Sequence, residues 1–162
     1  MDKIFTNLLI IGLMVLTLPL AAQQTPTFSI DPGSATIAPN GTHEVTVRVS
    51  DFQAVASVQL AVKWDPSIFE FVEIVSVNDT DFPGLSDIPG VNISVPGGNV
   101  PAGQINLSWF EPGFSGVTVS DDTEMFTFRL QASSCGSSAI SFEDPGGFTT
   151  IEILAEDTGG AL

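Results

Sequence analysis

The chain has 162 residues, 4 basic and 19 acidic, for a formal net charge of −15. That length holds one domain with a true core and is too short for two ordinary ones. The acidic excess excludes a nucleic-acid partner, since nothing here neutralises a phosphate backbone, and excludes an anionic membrane surface, which demands basic clusters. With 15 Gly and 11 Pro against 14% charged residues, turns between apolar stretches are expected in place of long surface helices.

Met1 to Gln24 reads as a secretory signal. Lys3 supplies the positive start, Ile4 to Leu20 is almost wholly apolar, and Ala21-Ala22-Gln23 offers small residues for cleavage after Ala22. The competing reading is a membrane anchor; against it, the run Leu8 to Leu18 is short for a span, Pro19 follows it, and no basic flank appears. Residues 1–22 are therefore assigned to the signal and 23–162 to the domain. Cleavage removes one acid, Asp2, and one base, Lys3, so the charge stays at −15. The expected location is secreted or cell-surface, with no stable membrane span after cleavage.

Beyond the signal the chain alternates apolar and polar residues with period two, the signature of half-buried strands. Phe28 and Ile30 begin the pattern. After the Asn40-Gly41 turn, Val45, Val47 and Val49 oppose Thr46 and Arg48. Val58, Leu60, Val62 and Trp64 share a face opposite Ser57, Gln59, Ala61 and Lys63, and Asp65-Pro66-Ser67 ends that strand. Ile68 to Val77 is apolar on both faces in places, which predicts an enclosed strand. Residues 78–90, with three Asp, two Pro and two Gly, read as a long loop. Val91, Ile93 and Val95 form a short strand; Ile105, Leu107 and Trp109 the next, with Asn106 and Ser108 facing away. Glu111 to Asp122 is a loop with a short bridge at Val117–Val119. Phe126, Phe128 and Leu130 alternate with Thr127, Arg129 and Gln131; Ile140 and Phe142 alternate with Ser141 and Glu143; Phe148 to Leu154 is the last apolar stretch. The prediction is an all-β domain, a two-sheet antiparallel β-sandwich of about eight or nine strands without a helix.

Little in the sequence carries chemistry. His43 is the sole histidine, at the start of a strand, and reads as a solvated strand-edge residue and not as a general base. There is no nucleophile elbow and no phosphate-cradling glycine loop. One His and one Cys exclude a zinc site in practice. Asp79-Thr80-Asp81-Phe82-Pro83-Gly84 starts like a calcium-binding helical-hairpin loop, but Pro83 and Gly90 stand where it needs ligands. Neither an enzyme nor a resident metal or cofactor is expected. Cys135, the only cysteine, permits no intrachain disulfide and reads as a small loop residue, the alternative being a reactive or intermolecular thiol. Sequons at Asn40, Asn78, Asn92 and Asn106 matter only in a eukaryotic secretory pathway.

Four stretches, in order and spacing, resemble the cohesin module, the receptor half of the cellulosomal cohesin–dockerin pair. Val55 to Glu70, with its Trp64-Asp65-Pro66 turn, is similar to the family's third and fourth strands. Gly103 to Glu111 is similar to the sixth, and Glu124 to Leu130 to the seventh. Ile140 to Glu143 with Gly146-Gly147-Phe148 is similar to the eighth strand and the turn after it. The resemblance spans about Phe28 to Leu154. It implies a nine-strand jelly roll that binds a dockerin, a small calcium-loaded helical partner, on one sheet face built from the third, fifth, sixth and eighth strands. Carried over by position, the docking candidates are Ser57, Gln59, Lys63, Asn106, Ser108, Glu111 and Glu143. Well-studied members have Asn and Asp where this chain has Ser57 and Gln59. The family's final strand, beside the first, has no counterpart after Leu154. The chain then reads as a fragment of a longer protein, the alternative being that Ile151–Ala155 closes the sheet.

The implied function is an exported, non-catalytic docking module in an extracellular or surface assembly for polysaccharide degradation. Two other readings fit the same residues. A carbohydrate-binding module would stack sugar on Phe82, Phe110 or Phe114, since Trp64 and Trp109 are in phase with the apolar face; polysaccharide is thus a second candidate partner. A structural or adhesin spacer would keep the sandwich alone.

Overall fold

A strand with valines on one side needs a second apolar surface to cover them, and here two sheets supply one another. The structure, a computed structural model, describes residues 25–32, 34–36, 38–143 and 152–155. Residues 1–22, expected to be a signal, and Gly146-Gly147-Phe148, expected to be a turn, lie outside the described residues. The strands are β1 (Thr27–Asp31), β2 (Ser34–Thr36), β3 (Thr42–Ser50), β4 (Val55–Lys63), β5 (Phe69–Val77), β6 (Ile93–Ser94), β7 (Gln104–Phe110), β8 (Thr123–Ala132), β9 (Ser137–Ala139), β10 (Ser141–Glu143) and β11 (Glu152–Ala155). No helix occurs among the described residues, and none is long and apolar enough to cross a membrane.

Nine strands form two antiparallel sheets. One has the order β1-β3-β8-β5; the other has the order β10-β4-β7-β6, with β11 also on β4, and β2 pairs β9 in a separate ladder. The predicted all-β sandwich is thus the observed one. β10 and β11 follow one another along a single edge of β4, β10 against Ala61–Lys63 and β11 against Val55–Gln59. Glu152–Ala155 therefore extends that edge and does not close the sheet beside β1, whose only partner among the described strands is β3.

The core lies where the period-two pattern puts it. Val45, Val47 and Val49 of β3 and Phe126, Phe128 and Leu130 of β8 meet Val58, Leu60 and Val62 of β4 and Ile105, Leu107 and Trp109 of β7, all essentially inaccessible to solvent. Burial of each such side chain is worth roughly 1.5–3 kcal/mol. Trp64 stacks on Phe128 with centroids 5.8 Å apart and donates its indole N–H to the Phe69 carbonyl at 2.9 Å.

One end of the sandwich is closed by loops. Phe52, in the β3–β4 connection, and Phe82, in the loop after β5, are fully buried against Trp109, at centroid distances of 6.3 and 5.8 Å from it and 5.5 Å from each other. Trp109 also donates its indole N–H to the Pro83 carbonyl at 3.1 Å. The 78–90 loop is thus anchored by Phe82 and Leu85, and Asn92 holds its far end, accepting from the Ser86 amide and donating to the Ser108 carbonyl.

Four local expectations change, the first being that the short strand over Val91–Val95 shrinks to Ile93–Ser94 and leaves Val91 exposed. β5 is an edge strand and not an enclosed one, last in the order β1-β3-β8-β5, and register shifts between Phe71 and Glu73 and between Ile74 and Ser76 leave Val72 and Val75 outward, 44% and 38% exposed. These are β-bulges, which consume apolar residues the alternation would have buried. The 140–142 alternation is split: β9 ends at Ala139 and pairs β2, while β10 pairs β4. His43 is not solvated at its outer nitrogen, since Nε2 is buried without a hydrogen-bond partner. Val55 and Val117 do form the expected bridge.

The loop after β7 is folded by its own acid. Glu111 accepts the Gly113 amide on one carboxylate oxygen and the Ser115 amide on the other, each at 2.8 Å. These amides, Gly113 first, hold the Glu111 carboxyl below its ordinary value by favouring the charged form. Gly116 then passes at φ +72°, where a Cβ would sit 2.6 Å from the Ala54 carbonyl oxygen, so no other residue fits.

Phe52→Ala should lower unfolding stability by about 3–5 kcal/mol, read from urea denaturation at unchanged slope. For Glu111→Gln the expectation follows from linkage. A lowered carboxyl value stabilises fully above the unfolded value of about 4.3 and is lost as pH falls through the folded value. Glu111→Gln should therefore melt below the wild type at neutral pH, with the gap closing in acid; a gap independent of pH would remove the carboxylate from this role.

Candidate functional site

The outer face of the β10-β4-β7-β6 sheet is set by the same alternation that builds the core. In outward phase are Ser57, Gln59, Ala61 and Lys63 on β4 and Gln104, Asn106, Ser108 and Phe110 on β7, of which Ala61 and Gln104 are covered by their neighbours. Register places Ser57 beside Phe110, Gln59 beside Ser108, Ala61 beside Asn106 and Lys63 beside Gln104. β6 adds Ser94 beside Asn106, and β10 adds Ser141 and Glu143 beside Lys63 and Ala61. Of the residues singled out from sequence, Ser57, Gln59, Lys63, Asn106, Ser108 and Glu143 share this continuous face. Glu111 follows at the end of β7, turned into its loop.

Several of these groups are already engaged. Lys63 Nζ donates to Glu143 Oε2 at 2.8 Å, so the one cation on the face is neutralised. Asn106 Oδ1 accepts from Gln104 Nε2 at 2.5 Å. The other two cations among the described residues are paired on the opposite sheet, Arg48 with Asp122 and Glu124 and Arg129 with Glu44 and Glu73. Glu44, bonded to the guanidinium, raises the Arg129 value further. The β4, β7, β6 and β10 positions of this face are mostly short hydroxyl and amide side chains, and the register of β11 adds Glu152 beside Gln59 and Leu154 beside Ser57.

One corner differs. Phe110 and Phe114 are 53% and 60% exposed, and their rings lie nearly parallel, 10° apart with centroids at 5.9 Å. Phe114 has φ +52°, a conformation costing an L-residue about 1–2 kcal/mol. Its amide is bonded to the Glu111 carbonyl at 3.0 Å, inside the turn that Glu111 caps. The outward phase of Phe110 was readable from Ser108-Trp109-Phe110; the ring pairing was not, because it depends on the loop's left-handed turn. Phe82, the third aromatic considered for sugar stacking, is fully buried and presents no platform.

The remaining chemistry is sparse. An open cavity at the other end of β7 is lined by Pro66, Glu70, Phe71, Pro96, Gly103 and Ser133, among others. Among the described residues no three His, Cys, Asp or Glu side chains are grouped to hold a metal. Cys135 is exposed.

No protein-family model and no curated protein matches the chain. Solved structures do. A type I cohesin–dockerin complex from Clostridium thermocellum contains a chain with TM-score 0.53 and 20% identity, over 74% of this chain and 82% of that one. The complex CaDoc0917–CaCohA2 gives TM-score 0.53 and 20% identity, over 72% and 79%. The second type II cohesin module of the adaptor ScaA scaffoldin of Acetivibrio cellulolyticus gives TM-score 0.50 and 15% identity, over 80% and 78%. The chain has the fold of cohesin modules, in which two antiparallel sheets pack as a jelly-roll β-sandwich.

Proposed function

We propose that the chain is an exported, non-catalytic docking module that binds a calcium-loaded, dockerin-type helical partner on the β10-β4-β7-β6 face. The observation that carries this is the face itself, where Ser57, Gln59, Asn106 and Ser108 lie in register on adjacent strands. Its hydroxyl and amide side chains can hydrogen-bond across an interface, which offsets the desolvation that covering them and the Lys63–Glu143 pair would cost. The fold adds support, because structures that share it include a cohesin–dockerin complex. Calcium belongs to the partner, and the module itself uses no cofactor. The apolar segment 4–20 supports export, and polysaccharide degradation is the setting that the resemblance implies. No group in the face or the cavity favours catalysis.

The test is calorimetric titration of the full chain with calcium-loaded dockerins encoded in the same genome. One-to-one binding that EDTA abolishes is expected. Ser108→Arg, which puts a long cation at the middle of the face, should weaken it at least about tenfold, or 1.4 kcal/mol, with the melting temperature unchanged. A folded wild type that binds none of them overturns the proposal.

A further inference from the structure

We propose that two copies of this chain associate edge to edge through β1, antiparallel about a two-fold axis at Ser29, joining their four-stranded sheets into one. The contact goes beyond the docking reading and uses a different part of the molecule. An open strand edge is a row of backbone donors and acceptors, and the partner that satisfies such a row is another extended chain. Among the described strands β1 pairs with β3 alone, over five consecutive residues without a register shift. Between Pro26 and Pro32 it carries no lysine, no proline and no bulge, the usual obstacles to edge pairing. The other sandwich edges are shorter or interrupted. β6 has two residues, β10 three and β11 four, and β5 loses register twice against β8.

The sequence of β1 selects a second copy. Set against its own reverse, Thr27-Phe28-Ser29-Ile30-Asp31 puts Thr27 opposite Asp31, Phe28 opposite Ile30 and Ser29 opposite Ser29. Phe with Ile is an aromatic–β-branched pair, Ser with Ser is a hydroxyl pair, and no like charges face each other. The flanking prolines fix the register. A shift of two residues either way brings Pro26 opposite Ile30 or Pro32 opposite Phe28, where an amide hydrogen is missing. A slip of one sets Phe28 against Ser29 and exchanges the faces. Burial supplies the drive. Phe28, Ile30 and Phe142 are only partly buried against the core, and Phe28 meets Phe142 of the other sheet with centroids 6.0 Å apart. A strand added at β1 covers the open flank of Phe28 and Ile30 with the same two residues of the copy. Because β5, the far edge of this sheet, is broken in register, the contact is isologous and closes at two copies.

Sedimentation equilibrium of the full chain should show a monomer–dimer equilibrium that tightens as sodium chloride screens two copies of formal charge −15. Ser29→Glu and Ser29→Lys each set two like charges face to face at the axis, and each should weaken dimerisation about fivefold or more. They change the net charge in opposite senses, so a loss in both reports the local contact. Ser29 is exposed, and the melting temperatures of the dilute variants should match the wild type. An equimolar mixture of the two variants should restore the dimer, because opposite charges then meet at the axis. A wild type that stays monomeric at every concentration overturns the proposal. So do variants that associate like the wild type, the result expected if copies join through the apolar segment 4–20, and so does a mixture that restores nothing. Docking on the β4–β7 face stands or falls separately, by titration of the same variants with dockerin.

Discussion

The pairing of β4 with β7 is the constraint on which everything else depends. Seven residue pairs, from Ser57 with Phe110 to Lys63 with Gln104, fix its register. One side of that ladder, Val58, Leu60 and Val62 against Ile105, Leu107 and Trp109, is core, and the other is the polar face. With a side-chain period of two, a slip by one residue would exchange the faces, exposing both sets of apolar residues and burying Asn106 and Lys63. Hydrophobic burial thus defines the polar face as strictly as it defines the interior. The surface residues need no stabilising interactions of their own to be correctly placed.

That coupling explains what could be read in the sequence. β3, β4, β7 and β8 are long strands with uninterrupted alternation, and their facing residues follow from it directly. β5 departs from its pattern because bulges insert residues that the alternation does not count, so Val72 and Val75 look internal from the sequence while facing outward. Phe52 and Phe82 lie in connections with no period at all, and their burial is a tertiary event: two loops converge on Trp109. The candidate face was legible as a set of outward positions on β4, β7 and β10. Its electrostatics were not, since Lys63 meets Glu143 only through the pairing of β10 with β4, and Glu111 finds its amides only once the chain turns back after Pro112.

Charge is distributed unevenly for a reason that the core imposes. The sheet carrying Arg48 and Arg129 binds each guanidinium between two carboxylates, concentrating its charge on the side away from the polar face. Exposed pairs of this kind add little stability, typically under about 1 kcal/mol each.

The bulges in β5 bear on how such domains tolerate crowding. A straight nine-residue edge would offer a template on which a neighbouring copy could add a strand, and so on without limit. β5 meets β8 only in runs of three, two and two residues before its phase breaks. An incoming strand would lose its place twice along that length. The broken phase therefore makes this edge a poor template for a strand from a neighbouring molecule.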